Sequence, residues 1–172
     1  YNSNKKLTTL SDTIKNNLKT YLSQYRMVTD AINIKDAYII NIGINFAILT
    51  KSGFNKQDVL LRCVTTVQDF FNIDRWQLGQ PIVLSDIAYE LSLVDGVATV
   101  VPPADNNPNN LPIVVTNKYS IAEGYSGNFY DISSALIEGV LYPSLDPSIF
   151  EIKYPNSDIK GKVLGDNLGV GT

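Results

Sequence analysis

The chain of 172 residues contains no histidine and a single cysteine, Cys63. Without histidine there is no Ser-His-Asp triad, no general-base histidine and no histidine-ligated zinc. One cysteine permits no disulfide within the chain, so the sequence reads as a protein assembled in a reducing, intracellular setting. Charge is also sparse. Only 18% of residues are charged and the formal net charge is −3, which argues against duplex DNA or an anionic membrane as partner. No apolar run reaches the roughly eighteen residues that a membrane-spanning helix needs. No phosphate cradle is present: Gly161-Lys162 lacks the upstream glycine of a P-loop, and Gly169-Val170-Gly171 is a lone glycine pair. The chain opens on Tyr1 with no visible signal peptide, and it reads as a fragment, or the ordered part, of a longer protein.

What the chain does have is apolar and aromatic residues. Hydrophobic residues make up 44%, and ten are tyrosines. This length buries one substantial core. Many tyrosines with few charges is the composition of buried protein–protein contacts, and equally of a tyrosine-rich core.

Periodicity places the elements. Leu7, Leu10, Ile14, Leu18, Leu22 and Tyr25 recur every three or four residues. They predict an amphipathic helix from about Thr9 to about Arg26, capped by Thr9 with Asp12, whose stripe packs on its own domain in the first reading and on a partner in the alternative. From Asp36 to Lys51 the period changes to two. Tyr38, Ile40, Ile42, Ile44, Phe46 and Ile48 face one way, and Asn41, Gly43, Asn45 and Ala47 the other. This predicts a long half-buried strand, with a bulge or a close backbone approach at Gly43. Asn55 caps a helix carrying Val59, Leu60, Cys63, Val64, Val67, Phe70 and Phe71, and Ser85 caps a shorter one through Leu91. Val97–Val101 and Leu111–Lys118 are strands flanking an irregular Pro- and Asn-rich loop. A short helix falls within Asp131–Ile137. Between the turn signals Pro143–Pro147 and Pro155–Asp158, the residues Ile149, Phe150, Ile152 and Tyr154 predict a strand that pairs either within its own domain, closing the sheet, or with a neighbouring subunit as a docking strand.

The order of elements gives an α+β fold: a small mixed sheet with two or three helices on one face, plus a Pro-flanked C-terminal strand segment. The expected organisation is an N-terminal helix over 1–26, an α+β domain over 27–118, a docking segment over 119–164 and a flexible tail over 165–172.

Candidate chemistry is thin. Cys63 lies on the apolar face of its helix and reads as a buried small hydrophobe. Glu90 with Asp95, or Asp131 with Glu138, could in principle form a glycosidase pair, but they are placed as solvated carboxylates usually are. Asp105-Asn106-Asn107 offers oxygen ligands without EF-hand spacing. No catalytic, cofactor-binding or metal-ligating set emerges, and an enzyme is not expected. The residues singled out are a protein-interface set: Tyr119, Tyr125, Phe129 and Tyr130, which have only Lys118 as a nearby base and so suit protein better than single-stranded nucleic acid, with Ile149, Phe150, Ile152 and Tyr154.

Three blocks carry a family resemblance. They are RMVTDAINIKDAYIINIGINFAI at 26–48, VTTVQDFFNIDRWQLGQPIVLSDIAYELSLVDGVATV at 64–100, and YPSLDPSIFEIKYPNSDIKGKV at 142–163. Within the second, Leu78, Gly79, Gln80, Ile82, Ser85, Asp86, Val94, Gly96 and Val97 follow the pattern. The chain resembles the C-terminal part of baseplate wedge proteins of large contractile-tailed phages, in the baseplate J-like family. Family members are several times longer. The resemblance implies a structural subunit of the virion tail baseplate, assembled in the host cytoplasm. Its partners would be a second copy, as a dimer, and other baseplate wedge proteins, forming a ring around the tail hub. It implies no cofactor, nucleic acid, membrane insertion or small-molecule substrate, and it transfers no catalytic residue. A baseplate part of a bacterial contractile injection system fits the same residues. A small carbohydrate-binding or hydrolytic domain using the tyrosines and carboxylates is the reading from another class.

Overall fold

The computed structural model describes residues 6–25, 27, 31–105 and 107–164. In chain order the elements are α1 (Asp12–Ser23), β1 (Tyr38–Thr50), α2 (Lys56–Phe70), β2 (Ile82–Val83), α3 (Leu84–Ser92), β3 (Val97–Val101), β4 (Ile113–Lys118), α4 (Ile132–Ala135), β5 (Leu136–Ile137), β6 (Val140–Leu141), β7 (Ser148–Glu151), α5 (Pro155–Asp158) and β8 (Ile159–Val163). The expected α+β class holds: a mixed five-stranded sheet is joined by a small sheet of β2, β6 and β5. Among the described residues no helix is long and apolar enough to cross a membrane.

Everything is organised by β1. Asn41 pairs with Lys118 on one edge and with Glu151 on the other, and Ile44 likewise pairs with Val115 and Ile159. Ala47 pairs with Val101 and Lys162. So β3 and β4 lie end to end, antiparallel, along one edge of β1, and β7 and β8 lie end to end, parallel, along the other. Each outer strand is one line of pairing interrupted by an excursion, at 102–112 on one side and 152–158 on the other. The sheet is therefore at most three strands wide at any level.

One face follows the predicted period. Ile40, Ile42, Ile44, Phe46 and Ile48 are buried against Val59, Cys63 and Val67 of α2 and Leu84, Ile87 and Leu91 of α3. α2 forms as the sequence dictates, with the Asn55 side chain accepting from the backbone N–H groups of Gln57 and Asp58. α3 begins at Leu84 with Val83 in the cap position, so Ser85 is inside the helix and not its cap.

The other face corrects the half-buried reading of β1. Asn41, Gly43 and Ala47 are also buried, and residues 119–130 fold back over the Asn41 end of this face. Ser126 donates its backbone N–H to the Asn41 side chain, and Ser126 and Asn128 side chains donate to the Ile39 carbonyl. Gly43 does mark a close approach. A Cβ there would stand 2.8 Å from Thr116 Oγ1 and 3.0 Å from the Asp158 carbonyl oxygen.

Two further expectations change. Of the two partners open to the C-terminal strand, it takes the one in its own domain: β7 pairs with β1, and β8, unforeseen in the sequence, continues that pairing. The segment 119–164 is thus part of the same sheet and not an appendage. At the N-terminus, α1 starts after Ser11, which makes no side-chain cap, so Thr9 is not the capping residue. Nor does its stripe enter the core. No residue of α1 is buried, and Leu10, Ile14, Leu18, Leu22 and Tyr25 are exposed. Asp36, ahead of β1, accepts from the Leu10 N–H just before α1 and from the Lys15 ammonium on it. Arg26 and the expected tail over 165–172 lie outside the described residues.

Candidate functional site

The eight interface candidates separate into four places. Phe150 is core, on the helix-covered face of β7, and cannot present itself to a partner. Tyr125 is buried beneath the return loop on the far face. Ile149, Ile152 and Tyr154 are half-buried along the β7 edge. Tyr119, Phe129 and Tyr130 come together, and they do so beside β4.

There they line an apolar groove of about 410 Å³. One side is β4, from Ile113 to Asn117; the others are the Asn107–Leu111 turn and the chain from Phe129 to Leu136. Each wall has a local cause. Asn107 fixes its turn by donating to the Pro103 and Leu111 carbonyls while accepting from the Leu111 N–H. Asn117 accepts from the Tyr130 N–H at 2.8 Å, and the Tyr130 hydroxyl donates to the Tyr142 carbonyl. Asp131 caps α4 by accepting from the Ser133 and Ser134 N–H groups and the Ser133 hydroxyl. Those bonds hold its carboxyl below the usual carboxylate range. Tyr119 and Phe129 are exposed and meet edge-to-face, with centroids 5.3 Å apart and an 86° interplanar angle. Burial raises the Tyr130 phenol above its ordinary value.

Beside this groove runs an unpaired strand edge. β4 pairs only with β1, and among the described residues its backbone makes no other hydrogen bond. An open edge of this kind is what strand-adding partners use. Nothing in the sequence reveals which strand ends up outermost.

The carboxylates considered for catalysis do not converge. Glu90 is exposed on α3, and Asp95 lies 3.9 Å from Arg62, which also donates to its carbonyl. Glu138 sits in a turn with φ of 51°, and Asp105 pairs with Lys162 at 2.7 Å. Among the described residues no group of three or more potential ligands could hold a metal ion. Burial pushes the Cys63 thiol up to about 11, against the opposing charge of Arg62, so it is protonated and not poised as a nucleophile.

A second polar cluster, missed in the sequence, lies under the return loop. Asn41 donates to Glu151 Oε2 at 2.8 Å, and Glu151 Oε1 accepts the Leu7 N–H. Asp158 accepts from the Tyr125 hydroxyl at 2.6 Å and the Tyr154 N–H at 2.8 Å. These groups satisfy one another, and we read the cluster as structural. A polar Asn41 between isoleucines was the available signal, since a buried amide requires partners.

This cluster carries a pH prediction. Burial, then the bond to Asp158, pushes the Tyr125 phenol up to about 12. The fold favours the neutral phenol, so its stabilisation is complete below pH about 10 and is lost as pH rises towards 12. Tyr125→Phe is expected to cost about 1–2 kcal/mol at neutral pH, as one hydrogen bond to a carboxylate disappears. The gap between wild type and variant should narrow from pH 10 to pH 12 in urea melts. A constant gap would contradict the assignment.

Compared with known proteins, the sequence matches no protein-family model and no curated protein.

Proposed function

We propose that this chain is a structural assembly subunit, of the baseplate wedge type found in large contractile-tailed phages. Its place would be the virion tail baseplate, where it meets a second copy and other wedge proteins. The observation that supports an assembly role is unpartnered apolar surface on a folded domain. The β4 groove, with its exposed Tyr119–Phe129 pair, and the α1 stripe of Leu10, Ile14, Leu18 and Leu22 both face solvent. Contiguous apolar surface of this kind marks interaction sites. The three sequence blocks supply the baseplate reading, and with no family match it rests on those residues alone. In mechanistic terms the domain acts by burying these surfaces against neighbours, so that a rigid sheet sets the angle between them.

An antibody raised against the chain should decorate the tail-end plate of the particles made by the genome that encodes it. Particles that carry no label would overturn the baseplate reading. Turnover in a peptidoglycan and polysaccharide hydrolase screen, abolished by Glu90→Gln or Asp131→Asn, would overturn the structural class as a whole.

A further inference from the structure

Resting on the assembly reading, we infer that the β4 groove takes an extended, uncharged, apolar segment of a partner polypeptide, which adds as a strand to the open edge of β4. Three observations select this occupant.

The first is the edge itself. β4 is six residues, roughly 20 Å of strand, with backbone groups bonded to β1 and to nothing else among the described residues; Ile113, Val114 and Val115 are buried, and Thr116, Asn117 and Lys118 form the part-exposed end that a partner meets first. The groove is lined by both Val114 and Thr116 and by Ile113, Val115 and Asn117. Neighbouring residues of a strand point to opposite faces, so lining by both sets places the groove along the edge of the strand and not over one face. A helix laid over one face would not meet the backbone groups; an added strand pairs with them.

The second is charge. Among the described residues Asp131 is the only charged residue lining the groove, and its carboxylate is taken up by the α4 cap. Lys118, at the end of β4, is turned away: its Cε would stand 3.0 Å from a Cβ at Gly43, on the far face of the sheet. An acidic segment would find no counter-ion here and a basic one only this single capping carboxylate, while either would lose hydration, so a neutral partner is the complementary one.

The third is room. A volume of about 410 Å³ is two to three times the roughly 150 Å³ of a cavity that holds one benzene ring. That suits the two or three side chains which a six-residue strand directs to one side. Tyr119 and Phe129 stand at the mouth, where rigid aromatic side chains contribute contact area at little entropic cost.

The probe is a fluorescein-labelled hexapeptide of alternating valine and threonine, with a control peptide N-methylated at two valines and two threonines so that both strand edges are blocked. Fluorescence anisotropy with the whole chain should show binding that the methylated peptide loses by about tenfold or more, since several ladder bonds are removed. Phe129→Asp, at an exposed position, should abolish binding with an unchanged circular dichroism spectrum. Hydrogen exchange should slow at amides within 113–118 when the peptide is bound. Equal binding of the two peptides, or binding without protection of β4, would overturn strand addition. A peptide-free dimer in light scattering that Phe129→Asp dissolves would show that a second copy fills the edge, and would overturn it too. Baseplate labelling together with no peptide binding would overturn this inference alone and leave the assembly reading standing.

Discussion

Ile44→Asp, and equally Ile42→Asp, is expected to unfold the domain at room temperature. Both side chains are fully buried in the central strand, beneath α2 and α3. A carboxylate there has no counter-charge, and burying it unpaired costs several kcal/mol or forces it to be protonated. The whole stability of a domain this size is about 5–15 kcal/mol. Asn45→Asp is the matched control. Asn45 is half-buried and points to the far face, paired in register with Val114 on one side and Lys160 on the other. A carboxylate at this position stays partly solvated near a lysine, so the loss should be under about 1 kcal/mol. Thermal melts followed by circular dichroism separate the two. Equal losses at Ile44 and Asn45 would mean that the two faces of β1 have been exchanged.

What could be read from the sequence, and what could not, divides by the range of the interactions. The period of two through Ile40–Ile48 named the core face of β1, because alternation is a local property of an extended chain. The Asn55 cap and the apolar face of α2 were equally local, and both stand in the structure. The failures concern what a face meets. The stripe Leu10–Leu22 has the same helical spacing as α2, yet among the described residues no element buries it, and spacing alone cannot tell a stripe with a partner from one without. Similarly, Phe150 and Ile149 are neighbours of equal apolarity. One is core and the other half-buried only because β7 joins β1 in parallel, a pairing set by contacts more than a hundred residues apart. The same limit applies to the groove. Tyr119, Phe129 and Tyr130 were singled out as aromatic residues, but the open edge that gives them a role depends on which strand finishes outside. β8 was hidden for a different reason. Ile159–Val163 carries Gly161 and two lysines, a poor strand signal. Gly161 is nevertheless required, since a Cβ there would stand 2.4 Å from Leu60 Cδ1 and 2.6 Å from Phe46 Cζ.

The second large effect lies on the face that the sequence read as solvated. Asn41→Ala is expected to cost about 3–5 kcal/mol, near the loss from breaking a buried charged pair. Asn41 is fully buried, and three elements converge on it. Its amide nitrogen donates to Glu151, its amide oxygen accepts from the Ser126 N–H, and its main-chain oxygen accepts from the Asn117 amide. Truncation removes the first two together. Among the described residues the Glu151 carboxylate, itself buried, then keeps the Leu7 N–H alone, and the half-buried Ser126 N–H loses its acceptor. The consequences should be spatially ordered. Ser126 anchors the return loop to β1, so amides near 125–130 should exchange faster, and Glu151 anchors the N-terminal segment, so the Leu7 amide should follow. The amides of α2 should lose protection only through the global loss of stability, because the cluster lies across the sheet from that helix. Asn41→Asp is the discriminating companion: it keeps the acceptor for Ser126 but sets a second carboxylate against Glu151, so it should be destabilising at neutral pH and recover partly in mild acid. A variant Asn41→Ala that melts within about 1 kcal/mol of wild type would show that water replaces the amide and that the second face is not closed.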